Sequence, residues 1–223
     1  MTTVAFLGSG YIGSTVARLS VAAGHRVVLS NSRAPETLNE LVAELGPLAE
    51  AATAAHAAAT GDIVVAAIPV RAYQALPAGE LAGQMVIDTG NYYPQRDGQL
   101  AELDSGSLTS SELLQQELPG ASVVKAFNNI FFRHLAALSR PPGAADRSYL
   151  PIAGDDAAAK SAVTAFLDSI GYGTIDVGPL AAGWRYQPGT PAYGAPYGPF
   201  SNENGEPAGE EKVRAALAAA AAR

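Results

Sequence analysis

Gly8, Gly10 and Gly13 stand at the spacing G-x-G-x-x-G, within Gly8-Ser9-Gly10-Tyr11-Ile12-Gly13. Each glycine has a mechanical use in seating a pyrophosphate. Gly8 permits a tight exit from a strand, and Gly10 lets backbone approach the phosphates with no Cβ between. Gly13 lets the following helix lie close to the strand. That helix aims free N–H groups and its positive dipole end at the anion. In a chain with 23 glycines the spacing alone says little. The apolar run Val4–Leu7 before it and the alanine-rich segment after it supply the setting that the motif requires. A glycine turn with no ligand is the alternative reading.

The next strand, Arg26–Leu29, ends where an adenosine ribose would lie. An Asp or Glu there binds the 2′-hydroxyl and selects NAD. Here the place holds Ser30-Asn31-Ser32-Arg33, with no carboxylate. Hydroxyls and a guanidinium suit a phosphate, because arginine offers donors in a fixed geometry and keeps its charge. Asn31, Ser32 and Arg33 are therefore expected to meet the 2′-phosphate of NADP(H). A helix-capping serine beside a solvated arginine is the plainer alternative.

Open α/β sheets bind ligands outside the carboxyl ends of their strands. Three further strand ends qualify: Ile68-Pro69-Val70, Thr89-Gly90-Asn91 and Phe127-Asn128-Asn129. They offer backbone groups, amides and hydroxyls rather than acids or bases. Asn91, Tyr92 and Asn128 are expected to border the hydride-transfer site, and Ile68, Pro69, Val70, Thr89, Gly90, Asn91 and Asn128 to touch the cofactor. Pro69 and Gly90 also read as plain turn residues. Lys125 reads as structural or paired, His25 as a turn residue and His56 as a solvated helix residue. The three histidines form no convincing Ser-His-Asp order and no metal-binding spacing. Hydride transfer fits this set, because the cofactor carries the reactivity while the protein positions two rings and excludes water.

These residues need a scaffold of alternating elements. Strand Val4–Leu7 leads into a helix over Tyr11–Ala23, with Gly24 at the C-cap position, and then into strand Arg26–Leu29. Pro35 and Glu36 open a helix over Pro35–Leu45, with Leu38, Leu41, Val42 and Leu45 on one face. Ala49–Thr60 carries little pattern. The unbroken apolar run Ile63–Ile68 marks a strand buried on both faces, and Val70–Ala75 starts another helix. Strands over Met85–Asp88, Ser122–Ala126, Tyr149–Ala153 and Gly173–Val177 follow. Helices over Ser110–Glu117, Ile130–Leu138 and Asp155–Ser169 are interleaved with them, and Pro141–Asp146 is loop. The alternation implies an α/β fold, a doubly wound and mostly parallel sheet.

The stretch Gly183–Phe200 breaks the pattern, with Trp184, Tyr186, Tyr193, Tyr197 and Phe200 set among prolines. It must cover a sheet edge, a partner subunit or a ligand pocket. Pro207–Arg223 reads as a terminal helix. Residues 1–178 form the expected NADP-binding unit, and 179–223 a C-terminal segment completing the same domain.

The net charge of −7 argues against nucleic-acid or anionic-membrane partners, and zero cysteines exclude disulfides and thiol catalysis. No apolar run is long enough to span a bilayer, and no signal segment precedes the first strand, so a cytoplasmic location is expected. The expected partner is a small-molecule acceptor, with a homodimer left open.

Gly8-Ser9-Gly10-Tyr11-Ile12-Gly13, Ser30-Asn31-Ser32-Arg33 and Val123-Val124-Lys125-Ala126-Phe127-Asn128 together resemble the NADPH-dependent reductases of the deazaflavin coenzyme F-420. A similar arrangement occurs in the cytosolic oxidoreductase domain of certain membrane ferric reductases. The resemblance implies a Rossmann domain with NADP(H) stretched across the strand ends. It also implies an acceptor pocket formed by the C-terminal portion and direct hydride exchange with a deazaflavin. Where those reductases often carry a histidine after Ala-Phe, this chain carries Asn128. Other acceptors (a flavin, a ferric chelate, an imine or a carbonyl) stay open, as does a dinucleotide sensor without turnover. A carbonyl would need a proton donor, from Tyr92, Tyr93 or Lys125.

Overall fold

Strand β1, Thr3–Leu7, alternates Val4 and Phe6 on one face with Ala5 and Leu7 on the other, and all four are buried. Apolar residues on both faces mark a strand sandwiched between two layers of helix. The computed structural model describes residues 1–220 and bears this out along the chain. Helix α1, Tyr11–Ala22, is closed by Gly24 at φ +82°, whose N–H donates to the Val21 carbonyl. Strand β2, Arg26–Ser30, leads to a 3-10 turn, Pro35–Leu38, and helix α2, Asn39–Leu45. The helix expected over Pro35–Leu45 is thus 3-10 in its first turn.

The little-patterned stretch Ala49–Thr60 divides into a three-residue strand β3, Ala49–Ala51, and helix α3, Ala54–Thr60. Strand β4, Ile63–Ala66, is followed at Val70–Ala75 by a 3-10 turn rather than an α-helix. Strand β5, Met85–Asp88, precedes two single-turn helices, α4 (Pro94–Asp97) and α5 (Ala101–Asp104). Helix α6, Ser110–Glu117, starts with a capping box between Thr109 and Glu112, as its sequence spacing dictates. Strand β6 is Ser122–Lys125 and helix α7 is Phe132–Ala137. Strand β7 spans Tyr149–Gly154, helix α8 Ala157–Ser169 and strand β8 Gly173–Asp176. Two 3-10 turns, Leu180–Tyr186 and Ala195–Tyr197, precede helix α9, Glu210–Ala218. Of the terminal helix expected over Pro207–Arg223, residues 221–223 lie outside the described residues.

The sheet order is β3-β2-β1-β4-β5-β6-β7-β8. The first six strands are parallel and repeat the order of the doubly wound dinucleotide fold. β7 runs antiparallel to β6, pairing Val124 with Gly154, and β8 runs parallel to β7. The connection from β6 to β7 carries one short helix, α7, whose six residues rise about 9 Å. The chain order reverses between β1 and β4, opening a crevice above the ends of the parallel strands.

The C-terminal segment closes one side of that crevice. Tyr186 and Tyr197 are fully buried, with Tyr186 Oη donating to the Lys125 carbonyl and Tyr197 Oη to that of Tyr149. Among the described residues no helix is long and apolar enough to cross a membrane.

Candidate functional site at the strand ends

The glycine loop divides its labour. Gly8 sits at φ +103°, and a Cβ there would overlap the Ala67 carbonyl oxygen. A Cβ on Gly13 would overlap the carbonyl oxygen of Gly8. Both glycines therefore serve the packing of β1, β4 and α1 from beneath. At Gly10 a Cβ would meet nothing within 4 Å, so this backbone faces open space. Gly10 is also the N-cap of α1, which has no side-chain cap and no acidic residue in its first turn. The free N–H groups there suit a phosphate. Ser9 Oγ is turned back onto the Ser30 carbonyl and ties the loop to β2.

A cleft of about 490 Å³ runs from Gly10, Tyr11 and Ile12 across Ile68 and Pro69 to Thr89, Gly90, Asn91 and Asn128. These expected contacts, drawn from four separate strand ends, meet in one place. Asn31, Ser32 and Arg33 lie past the end of β2 and outside the cleft, with Ser32 and Arg33 exposed. The Asn31 side chain folds into a local turn, accepting from the Arg33 N–H at 2.8 Å and donating to Thr37 Oγ1 at 2.9 Å.

Of the residues expected at the ends of β4, β5 and β6, Val70 and Tyr92 do not line the cleft. Val70 is buried in the apolar layer on one face of the sheet. Tyr92 points elsewhere: its hydroxyl donates to Asp104 Oδ1 at 2.7 Å and accepts from the Leu100 N–H at 3.0 Å. Its ring lines a separate small cavity with Leu103, Leu108 and Pro188. The next residue, Tyr93, faces the cleft in its place.

Sequence reading also missed Arg96, Phe131 and Phe132, all of which line the cleft, while Asn129 lines it as part of the strand end after β6. The aromatic tail contributes Tyr193, Gly194 and Phe200, while Trp184 lies elsewhere. Tyr11 stacks on Phe132 at 4.5 Å between ring centroids, and Phe131 meets Phe200 at 5.2 Å. Arg96 is the one charged side chain among the lining residues, with its guanidinium 5.0 Å from the Tyr93 ring centroid.

Phe127 has φ +64°, the one described non-glycine residue in the left-handed region, at a cost of about 1–3 kcal/mol. In a continuing strand, neighbouring side chains would point to opposite faces. The turn at Phe127 breaks that alternation, so Asn128 and Asn129 both line the cleft. Asn128 donates to Asn91 Oδ1 at 3.1 Å and to the Tyr186 carbonyl at 3.0 Å. Asn129 donates to the Ala192 carbonyl at 3.0 Å and to Tyr197 Oη at 3.3 Å. Both side-chain oxygens are buried without a protein partner. Two adjacent unmatched acceptors fit a ligand that brings N–H donors, as the carboxamide of a nicotinamide does.

Beneath the cleft lies a buried polar cluster. Asp88 Oδ2 accepts from Ser111 Oγ at 2.6 Å, and Oδ1 from Tyr73 Oη at 3.0 Å. Lys125 Nζ lies 3.7 Å from the same carboxylate, as the paired reading expected. Burial pushes the Lys125 ammonium below its usual range, and Asp88 opposes that shift. Burial, and then Asp88, push the Tyr73 phenol well up. His25 sits in a turn against Ser169, and His56 is exposed on α3. Among the described residues no group of three or more His, Cys, Asp or Glu could hold a metal ion.

The order of the parallel strands and the glycine-floored crevice define an α/β domain of the Rossmann dinucleotide-binding class. More narrowly, the model of the family described as NADP oxidoreductase, coenzyme F420-dependent, matches residues 3–92 of the chain. A hypothetical protein from Sinorhizobium meliloti is 31% identical in sequence, with a TM-score of 0.73 over 87% of this chain and 94% of that one. A candidate F420-dependent NADP-reductase from Arthrobacter sp. FB24 is 27% identical, with a TM-score of 0.69 over 82% and 87% of the two chains. Metalloreductase STEAP3 of Rattus norvegicus is 30% identical over 181 residues, or 80% of this chain. The chain spans 34% of the length of that curated relative.

Proposed function

We propose that this chain binds NADP(H) across its strand ends and exchanges a hydride with a deazaflavin held in the aromatic half of the cleft. When bound, the nicotinamide supplies the hydride, and the protein's residues do the positioning. Gly10 and the uncapped start of α1 take the pyrophosphate. Ser32 and Arg33 take the 2′-phosphate. Asn128 and Asn129 orient the carboxamide through their free oxygens. Tyr11, Phe131, Phe132 and Phe200 offer flat faces to a second ring and exclude water from the transfer.

The observation that carries this reading is the continuity of the cleft. One space joins the open backbone at Gly10 to Asn128 and Asn129 and to a wall of aromatic rings. Transfer between two rings needs contact at about 3–3.5 Å more than a strong acid or base. No carboxylate or histidine stands among the lining residues. The family match and the Arthrobacter relative favour a deazaflavin over a flavin, a ferric chelate or an imine.

The test mixes purified protein, NADPH and oxidised deazaflavin coenzyme and follows the loss of deazaflavin absorbance. Deuterium from NADPH labelled at C4 is expected at the deazaflavin ring carbon. Tight NADPH binding with neither bleaching nor label transfer would remove the deazaflavin as acceptor.

A further inference from the structure

The aromatic wall of the cleft contains one hydrogen-bonded pair of hydroxyls. Tyr93 Oη and Tyr193 Oη lie 2.6 Å apart, although 100 residues separate them, and both residues line the cleft. Among the described residues neither hydroxyl has another protein partner. Two hydroxyls that bond only each other use one proton between them. The other O–H is left free to point outward. Thr89, by contrast, spends its hydroxyl on the Ala66 carbonyl, and Tyr11 is 75% exposed at the mouth.

Ring-to-ring transfer to a deazaflavin needs more than a hydride. Addition at the ring carbon forms a C–H bond and displaces an electron pair through the conjugated ring onto a ring nitrogen. That nitrogen must gain a proton for the product to be neutral there, so each turnover takes up one proton from solution. We infer that the Tyr93–Tyr193 pair is the proton donor of the cleft. It delivers a proton to the acceptor's ring nitrogen as the hydride reaches the ring carbon. One tyrosine O–H bond breaks as the N–H bond forms, the second hydroxyl passes its proton to the first, and water restores the second. Burial, reinforced by the bond to Tyr93, pushes the Tyr193 phenol above its usual value and keeps it protonated near neutrality. Arg96, ion-paired with Asp97 at 2.8 Å, lies over the Tyr93 ring.

This inference rests on the deazaflavin reading, and its test separates the two. Tyr93→Phe, Tyr193→Phe and the double variant keep both rings and leave no third protein group unpaired. Binding is read from quenching of the oxidised deazaflavin's fluorescence, and hydride transfer from single-turnover absorbance. The double variant is expected to bind NADPH and deazaflavin within a few-fold of wild type. Its transfer step is expected to slow on the order of 100-fold. Added imidazole buffer should restore part of that rate by supplying an external acid, while wild type stays indifferent to it. An unchanged transfer rate, or a loss that tracks deazaflavin affinity and ignores the buffer, overturns the inference alone. Wild-type protein that neither binds nor reduces deazaflavin overturns the functional reading and this inference with it.

Discussion

Lys125 and Asp88 hold Gly90 from opposite sides. The ammonium donates to the Gly90 carbonyl at 3.0 Å, and the carboxylate accepts from the Gly90 N–H at 2.8 Å. Both charged groups are almost wholly buried, and Ser110 and Ser111 take the remaining Lys125 donors. A Cβ on Gly90 would run into Tyr73 Oη, so the clamp closes on a glycine for steric reasons. The pair thereby fixes the strand end that floors the cleft.

Breaking this pair on one side strands a buried charge. Lys125→Met is expected to destabilise the fold by about 3–5 kcal/mol. The double variant Asp88→Asn/Lys125→Met should lose less than the sum of the two single changes, because its partners are neutral together. Urea unfolding of the four proteins measures the coupling, and strict additivity would argue against a clamp.

Gly8 and Gly10 belong to one motif but carry different loads. Gly8→Ala puts a side chain into a left-handed backbone and against Ala67, so it should lower the melting temperature sharply. Gly10→Ala meets no protein atom and should melt near wild type while binding NADPH at least tenfold more weakly. Thermal melts paired with NADPH titrations check both. Equal destabilisation by the two changes would contradict the division.

Arg33 is exposed past the end of β2, in the stretch Ser30–Arg33 that holds no carboxylate. A lost charge-assisted contact costs roughly 1.5–3 kcal/mol, on the order of 10–150-fold in affinity. Arg33→Ala should weaken NADPH by about that factor and leave NADH nearly unchanged. Parallel titrations with the two cofactors decide it, and equal losses would remove Arg33 from the 2′-phosphate.

Phe200 and Tyr92 make opposite predictions on the acceptor side. Phe200 is 54% exposed and lines the cleft, so Phe200→Ala should raise the acceptor KM several-fold with little change in melting temperature. Tyr92→Phe loses the bond to Asp104 and should cost about 1 kcal/mol of stability with the transfer rate intact. A large fall in single-turnover rate at Tyr92 would return that residue to the site.

The parallel half of the fold was legible because its signals are local. A glycine turn must sit between strand and helix, and strands such as Ile63–Ala66 that are buried on both faces must read as unbroken apolar runs. The three stretches that carry the family resemblance, Gly8–Gly13, Ser30–Arg33 and Val123–Asn128, are likewise continuous in the chain. Strand β3 escaped because three residues with alternating, half-buried alanines carry no periodicity above background. The reversal of β7 escaped because strand direction is set by the path of the connection through space, and the residues of the strand itself do not record it.

The sequence by itself determined the strand ends, the glycine loop and the lack of a carboxylate after β2, because each depends on neighbours within a few residues. Only the tertiary structure decided which side chains share the cleft. Tyr92 and Tyr93 are adjacent, yet they face different cavities, and the chain gives no sign of which one turns inward. Tyr193 and Phe200 enter the wall because Asn128 and Asn129 bind backbone carbonyls of Tyr186 and Ala192, and Gly194 donates back to the Asn129 carbonyl. Those bonds span about 60 residues of chain, and a hydrogen bond at that separation leaves no pattern in the residues between.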